Sequence, residues 1–531
     1  MTTLWHTTSS ARTWQSAART SQAPPDARWN RSTVAITALW IGIDLGTQSA
    51  KVSIVDDEGS VAASSAVPLI SRRMGDRHEQ DPQDWINQAG AALAVALASL
   101  PSTAVARIAG VSICATSGTI TTVDAAGRPC SAGLMYDDAR AEAIGPEANQ
   151  SDPARWARLG YKIQPTWALP KIAWLARNGL LSEKRWVAHQ ADVLASAIVG
   201  TRVASDWSHS LKSGYDLLAL EWPVGALDAL GIDPDQLPSV VAPGTELGRS
   251  GAWWADVTGL PVGIPVFAGM TDGCAAQLSA ATLGLGDWHT TIGTTMVLKG
   301  VSNRIIIDDS GAVYSHRAPH DGLWFPGGAS SVGAGAITAG LPSIDLAGAS
   351  SRLSGLGHRL SSIPTSYPLV GTGERFPVIR PDAHGFVTVD GIDYSLSAAA
   401  TLLDPDLLLA SIMLGIACVE RLSLEMMARA GAAVDGTLSS SGGGTNNEWW
   451  TQLRADLLGR TISIPRSSEG SMGMAILAAW AGTAGSSLPE TASRMSIVGR
   501  VVEPRSAPAA LWNDRYDRFV AELGSKNWIT P

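Results

Sequence analysis

The chain has 531 residues, 45% of them hydrophobic and 16% charged, so it buries large cores without disulfide or metal staples and is too apolar to be disordered. Lys and Arg number 39 against 48 Asp and Glu, a net charge of −9 with no basic patch, which argues against a nucleic-acid partner. The four cysteines, Cys114, Cys130, Cys274 and Cys418, lie far apart with no C-x-x-C, which excludes a zinc scaffold and a disulfide framework and fits a reducing compartment, the cytoplasm.

Residues 1–38 are rich in Ser, Thr, Ala and Arg, hold one acid (Asp26) and show no sustained hydrophobic period. A transit peptide and a disordered extension, or a start codon read too early, both fit, and the segment stands outside the fold. Ala38 to Ile43 is a short apolar run ending in Asp44-Leu-Gly46-Thr47, and Lys51 to Asp56 is a second strand. Asp56 to Gly59 reads as a hairpin turn and Ser60 to Val67 as a third strand. A helix follows from Asp81 or Pro82 to about Leu100, with Asp at the N-cap and Pro at N1. Ile108 to Ala115 is a buried strand ending in Thr116-Ser117-Gly118.

The pattern recurs. Pro265 to Ala268 runs into Gly269-Met-Thr-Asp272-Gly273, with a helical stretch from Cys274 to Ala281. Trp288 to Leu298 reads as strand, Gly293-Thr294-Thr295 turn, strand. A long amphipathic helix, about Pro405 to Arg429, precedes Gly442-Gly443-Gly444, and another helix begins near Ser471. The longest uncharged apolar run, Leu407 to Val419, falls short of the ~18 residues that span a bilayer and reads as a buried helix. No membrane partner is expected, and no feature speaks to oligomeric state. Two similar halves, about 39–267 and 268–528, imply an α/β protein of two lobes with a cleft between them.

Small-residue turns after strands suit phosphate, because glycine lets the backbone approach a ligand and hydroxyls and N–H groups hold its oxygens. A carboxylate at a strand end, Asp44, can hold Mg²⁺. There is no G-x-x-x-x-G-K-[ST], no G-x-G-x-x-G and no kinase-type H-R-D or D-F-G, so P-loop, dinucleotide and protein-kinase modes are set aside. Asp272 has no basic neighbour in sequence. It reads either as a cap for the following helix or as a general base over a substrate hydroxyl, which must lose its proton as it attacks phosphorus.

These turns, in this order, resemble the FGGY family of carbohydrate kinases over about residues 39–525. Asp44-Leu-Gly-Thr-Gln-Ser is similar to its opening phosphate motif, and Tyr136-Asp-Asp138-Ala-Arg140 to its W-x-D-x-R segment, with Tyr for Trp. Leu169-Pro-Lys171-Ile-Ala-Trp174-Leu175 resembles its P-K-x-x-W-L helix, Gly269 to Asp272 its catalytic turn, Gly293-Thr-Thr295 its second phosphate loop, and Ser441 to Asn447 its adenine motif. Ser205 to Tyr215, Val313 to His316 and Gly373 to Pro377 resemble the small ketopentose kinases of cyanobacteria and plants.

The resemblance implies an actin/Hsp70-like, ribonuclease H-like ATPase fold. It implies a sugar- and phosphate-binding domain over 39–267 and a nucleotide-binding domain with the catalytic Asp over 268–528. ATP and Mg²⁺ are the implied cofactors, and a small sugar, D-ribulose first, is the implied partner; D-xylulose or another sugar or polyol is the alternative. Asp272 is implied as base, with Asp44 on Mg²⁺ and the sugar. Thr47, Gln48, Gly293, Thr294 and Thr295 would line the phosphates, and Gly443, Gly444 and Asn447 the adenine or its ribose. Thr116, Ser117, Asp138 and Arg140 would line the sugar, although Arg140 can equally be paired with Asp137 or Asp138. A reading from another class, an actin-like ATPase switch, has no use for Asp272 and the Asp138/Arg140 segment together.

Overall fold

Two mixed sheets carry the same strand pattern, and this repetition sets where the site lies. The computed structural model describes residues 37–308 and 310–529, so the expectations for residues 1–38 fall outside the described residues apart from Thr37 and Ala38. In the first sheet, strand Leu39–Leu45 pairs antiparallel with Ser49–Asp56 and, on its other side, parallel with Ile108–Ala115. In the second, Trp288–Ile292 pairs antiparallel with Met296–Gly300 and parallel with Leu438–Ser441. The Gly46 and Gly293 turns thus occupy equivalent corners. Strands Pro265–Phe267 and Glu246–Arg249 extend the first sheet to six strands, and the second has seven. The central strands are buried on both faces, so they read as near-continuous apolar runs instead of alternating ones.

The helices form where caps and periodicity dictate. Asp81 caps Pro82–Ala98 by accepting from Gln83 N–H at 2.9 Å, and Trp85, Ile86, Ala89, Leu93 and Ala96 face the core. Pro405–Arg429 has the expected bounds but not the expected amphipathic character, because Leu408 to Glu420 is buried on every side. Its polar residues are satisfied internally: Ser411 Oγ donates to the Pro364 carbonyl, and Glu420 pairs with Arg454 at 2.7 Å, both fully buried. Among the described residues this one helix is long and apolar enough to cross a membrane, yet 89% of its apolar window is buried inside the protein.

Two helices lie between the sheets. Asp272–Ser279 begins two residues before the sequence suggests, with Thr271 as its N-cap. Gly470–Gly482 packs on both Leu39–Leu45 and Asp272–Ser279. A Cβ on Gly42 would stand 1.7 Å from the Ser471 carbonyl oxygen, and one on Gly473 would stand 1.9 Å from that of Ala275. Glycine is therefore what lets backbone rest on backbone at both faces of this helix.

Gly473→Ala should force the two helices apart and cost about 1–3 kcal/mol in urea unfolding. Gly225→Ala, where an added methyl meets nothing within 4 Å, should leave the urea midpoint unchanged or raise it.

Candidate active site

The parallel strands of both sheets end on one space. From the first sheet come Asp44, at the end of Leu39–Leu45, Thr116 and Ser117, just past Ile108–Ala115, and Asp272, beyond Pro265–Phe267. A bridge between Ala115 and Thr271 continues the parallel pairing and sets Asp272 next to the Thr116 turn. From the second sheet come Thr291 and Thr295 around the Gly293 turn, and Ser441 and Gly442 at the end of Leu438–Ser441. Strand carboxyl ends are where open α/β sheets bind ligands. The resulting cleft holds about 510 Å³, ample for a small molecule. A second cavity of about 450 Å³ shares Gly442 and Ser468 with it and is walled by Thr445, Asn446, Arg466 and Arg500.

Of the residues singled out in the sequence, Asp44, Thr47, Thr116, Ser117, Asp272 and Thr295 line the cleft. Ser117 Oγ has no protein partner among the described residues, whereas Thr116 Oγ1 is tied to Gln190 Oε1 at 2.8 Å and Thr119 Oγ1 at 2.6 Å. Gln48 is not among the lining residues: it is exposed, and its backbone carbonyl accepts from Leu69 N–H at 2.8 Å. Gly293 and Thr294 form the bend beside the cleft, with the Thr294 carbonyl accepting from Gly335 N–H at 3.1 Å. Gly443, Gly444 and Asn447 do not line it either. Gly444 is packed so that a Cβ would stand 2.9 Å from the Ile292 side chain, and Asn447 Oδ1 caps helix Glu448–Leu458 through Trp450 N–H at 2.9 Å. Gly442 takes their place: its φ is +85°, and a Cβ there would stand 2.4 Å from the Ile292 carbonyl oxygen.

Asp138 and Arg140 also stand behind the wall of the cleft. Asp138 is fully buried and its carboxylate is saturated, accepting from His78 N–H at 2.7 Å and from Arg140 Nε and Nη2 at 2.8 Å each. Arg140 continues to Glu79 at 2.6 Å and lies over the Trp174 ring at 5.2 Å. The ion pair weighed for Arg140 is thus the one observed, buried instead of exposed. On the same helix as Trp174, Lys171 Nζ donates to the Gly118 and Met135 carbonyls at 2.7 Å each. The P-K-x-x-W-L segment braces the turns that present Ser117 and Tyr136 to the cleft.

A model of the N-terminal domain of the FGGY family of carbohydrate kinases matches residues 39–279, and one of the family's C-terminal domain matches residues 350–482. The chain belongs to the FGGY family of carbohydrate kinases. It is 25% identical to a xylulose kinase of Bacillus subtilis, covering 90% of this chain and 95% of that one, and 24% identical to a xylulose kinase of Escherichia coli over 80% and 86%. Its fold superposes on xylulose kinase from Rhodospirillum rubrum with a TM-score of 0.80 at 21% identity, covering 92% and 98% of the two chains. Glycerol kinase from Plasmodium falciparum with ADP gives 0.76 at 16%, with the same coverage. The two-lobed actin/Hsp70-like fold and the sugar-kinase class read from the sequence both hold, and the ATPase-switch reading is set aside.

Besides Lys51, which pairs with Glu469 at 3.2 Å, the cleft of this kinase holds three cations that sequence reasoning missed. Lys212, Lys299 and Arg375 line it together with Tyr314 and His316, and none of the three cations has a carboxylate within 4 Å among the described residues. Four of these five residues sit in the segments that resemble the small ketopentose kinases, which was the available signal; Lys299 had none. The two carboxylates feel the enclosure. Burial pushes Asp44 up to about 7, helped by the charge of Asp272, while Lys51 and the Cys114 thiol (Sγ to Oδ1 3.5 Å) pull it back. The surrounding protein also raises Asp272, against the pull of Gly273 N–H, Lys212, His209 and Lys299. Asp272 Oδ1 accepts from Gly273 N–H at 2.7 Å, its one hydrogen bond among the described residues, and the side chain lines the cleft. It does not serve as the N-cap, a position Thr271 occupies.

Because Asp44 titrates higher in the folded protein than in the unfolded chain, its contribution to stability falls as pH rises from about 3.8 to about 7. In the ligand-free kinase, Asp44→Asn should therefore raise the thermal midpoint at pH 8, and the gain should vanish below pH 4. A pH series of melting curves checks this.

Proposed function

We propose that this kinase transfers the γ-phosphoryl group of ATP to the terminal hydroxyl of a ketopentose, D-ribulose first, forming D-ribulose 5-phosphate in the cytoplasm. The observation that carries the reading is Asp272: a carboxylate open to the cleft, with one hydrogen bond and no ion pair among the described residues, between hydroxyl-lined turns of two lobes. Asp272 accepts the hydroxyl proton, and burial raises its affinity for protons above that of an ordinary carboxylate, the direction a general base needs. Asp44, Thr116, Ser117 and Tyr136 hold and orient the sugar in the domain spanning 39–267. Thr47, Thr291 and Thr295 hold the phosphates, and the neighbouring cavity at Gly442, Thr445 and Arg500 takes the nucleoside in the domain spanning 268–528.

The residues fit Mg²⁺. No group of three or more His, Cys, Asp or Glu side chains forms a metal cage among the described residues, and Mg²⁺ with a nucleotide is held by one or two carboxylates plus phosphates. Asp44 would hold it, and the ion would neutralise phosphate charge. Closure of the cleft excludes water and so limits ATP hydrolysis.

D-ribulose is supported by Lys212, Tyr314, His316 and Arg375, the cleft-lining members of the segments that resemble the small ketopentose kinases. D-xylulose is the second reading, favoured by xylulose kinases that align over most of the chain. ADP release from Mg-ATP across a panel of ketoses and polyols should be fastest with D-ribulose, and Asp272→Asn should lower kcat by about 10²–10⁴-fold with folding intact. A faster rate with D-xylulose would move the substrate assignment, and a near-normal Asp272→Asn rate would remove Asp272 as base.

A further inference from the structure

Lys299 is held in a way that a structural lysine has no reason to be. It lies on strand Met296–Gly300, is 4% exposed, and lines the cleft. Its stem threads between two glycines: a Cβ on Gly327 would stand 2.7 Å from Lys299 Cδ, and one on Gly273 would stand 3.6 Å from Cε. The amine therefore ends beside the residue that follows Asp272. Lys299 Nζ donates to His316 Nδ1 at 2.8 Å and stands 5.0 Å from the Tyr314 ring centroid. No carboxylate lies within 4 Å of it among the described residues. Burial and the adjacent ammonium hold His316 well below its ordinary value, so the imidazole is neutral and orients the lysine without cancelling its charge.

A buried ammonium whose one hydrogen-bond partner among the described residues is a neutral ring, with the Asp272 carboxylate acting on it only from beyond 4 Å, is costly unless an anion arrives to meet it. A neutral sugar brings none. The phosphoryl group in flight does, since its three equatorial oxygens carry the charge of a loose transition state. Lys299 lies where that group must pass: its strand follows the Gly293 turn on the nucleotide side, and its tip adjoins the Asp272 turn.

We propose that Lys299, oriented by His316, is a catalytic residue that contacts the oxygens of the phosphoryl group during transfer. The inference rests on the kinase reading above. In the step, the sugar's terminal oxygen bonds to the γ-phosphorus as the bond from that phosphorus to the ADP oxygen breaks. The hydroxyl proton passes to Asp272, ADP leaves with the bonding electron pair, and Lys299 keeps its protons throughout.

Two variants test this in the full-length protein. Lys299→Met removes the charge at similar length, and Lys299→Gln keeps a neutral N–H donor for His316. Both should bind MgADP within about threefold of wild type, which also reports intact folding. Both should bind MgADP with fluoroaluminate, a mimic of the group in flight, about 10²–10³-fold more weakly, in the range for removing one preorganised donor. Where a ketose is turned over, kcat should fall by a similar factor with its KM within about threefold. Fluoroaluminate binding as tight as wild type in a variant that still binds MgADP would overturn the proposal, as would an effect confined to sugar KM. That comparison needs no sugar, so a wild-type protein inactive on every ketose would instead overturn the ketopentose reading.

Discussion

The whole arrangement depends on backbone lying directly on backbone. Helix Gly470–Gly482 rests on strand Leu39–Leu45 at Gly42 and on helix Asp272–Ser279 at Gly473, in both cases closer than any side chain permits. Because the helix comes from the C-terminal half of the chain yet covers the N-terminal sheet, it fixes the two sheets in one frame. Its N-terminus, Gly470 with the preceding Ser468 and Glu469, opens into the cleft beside Asp44, where Glu469 meets Lys51 at 3.2 Å. The positions of Asp44, Asp272 and the Thr291–Thr295 turn therefore follow from backbone contacts that only glycine permits, with a Cβ standing 1.7 Å and 1.9 Å from the facing carbonyl oxygens.

The cleft keeps charges that a structural core would cancel. Where the fold only needs support, it satisfies them: Glu420 pairs with Arg454, Asp138 with Arg140, Asp216 with Arg155 and Arg158, and Lys171 is held by two backbone carbonyls. Where ligands are to arrive, it leaves Asp272, Lys212 and Lys299 without an ion partner among the described residues. Taking a lone charge out of water is unfavourable, and proteins retain such groups where substrate or transition state offsets the cost.

Much of the frame was legible in the sequence because local signals decide it. The strands Leu39–Leu45, Ile108–Ala115 and Trp288–Ile292 are apolar runs closed by small-residue turns, and the caps Asp81 and Asp404 mark their helices. Strands Trp324–Ser330 and Thr365–Glu374 were not read, because glycine and proline inside them erase the alternation that announces a strand. Within the site, Asp44, Thr116, Ser117 and Asp272 stand at strand ends and could be found from position alone. Asp138, Arg140 and Asn447 could not be assigned that way: whether a polar side chain faces ligand or neighbour depends on partners distant in sequence, such as His78 and Glu79. Lys299 escaped for the converse reason, since its glycine channel is assembled from residues 273 and 327 and leaves no trace around residue 299.

The returning helix also sets an order of events during synthesis. The first sheet is complete as far as Ala115 long before Gly470 leaves the ribosome. At about 5–20 residues per second, its helix-binding face waits on the order of 20–70 s for its cover. Throughout that interval the glycine-lined face around Gly42 is an open apolar surface on a nascent chain. A chaperone that occupies it until Gly470–Gly482 emerges would set the yield of folded enzyme, whatever the stability of the finished protein.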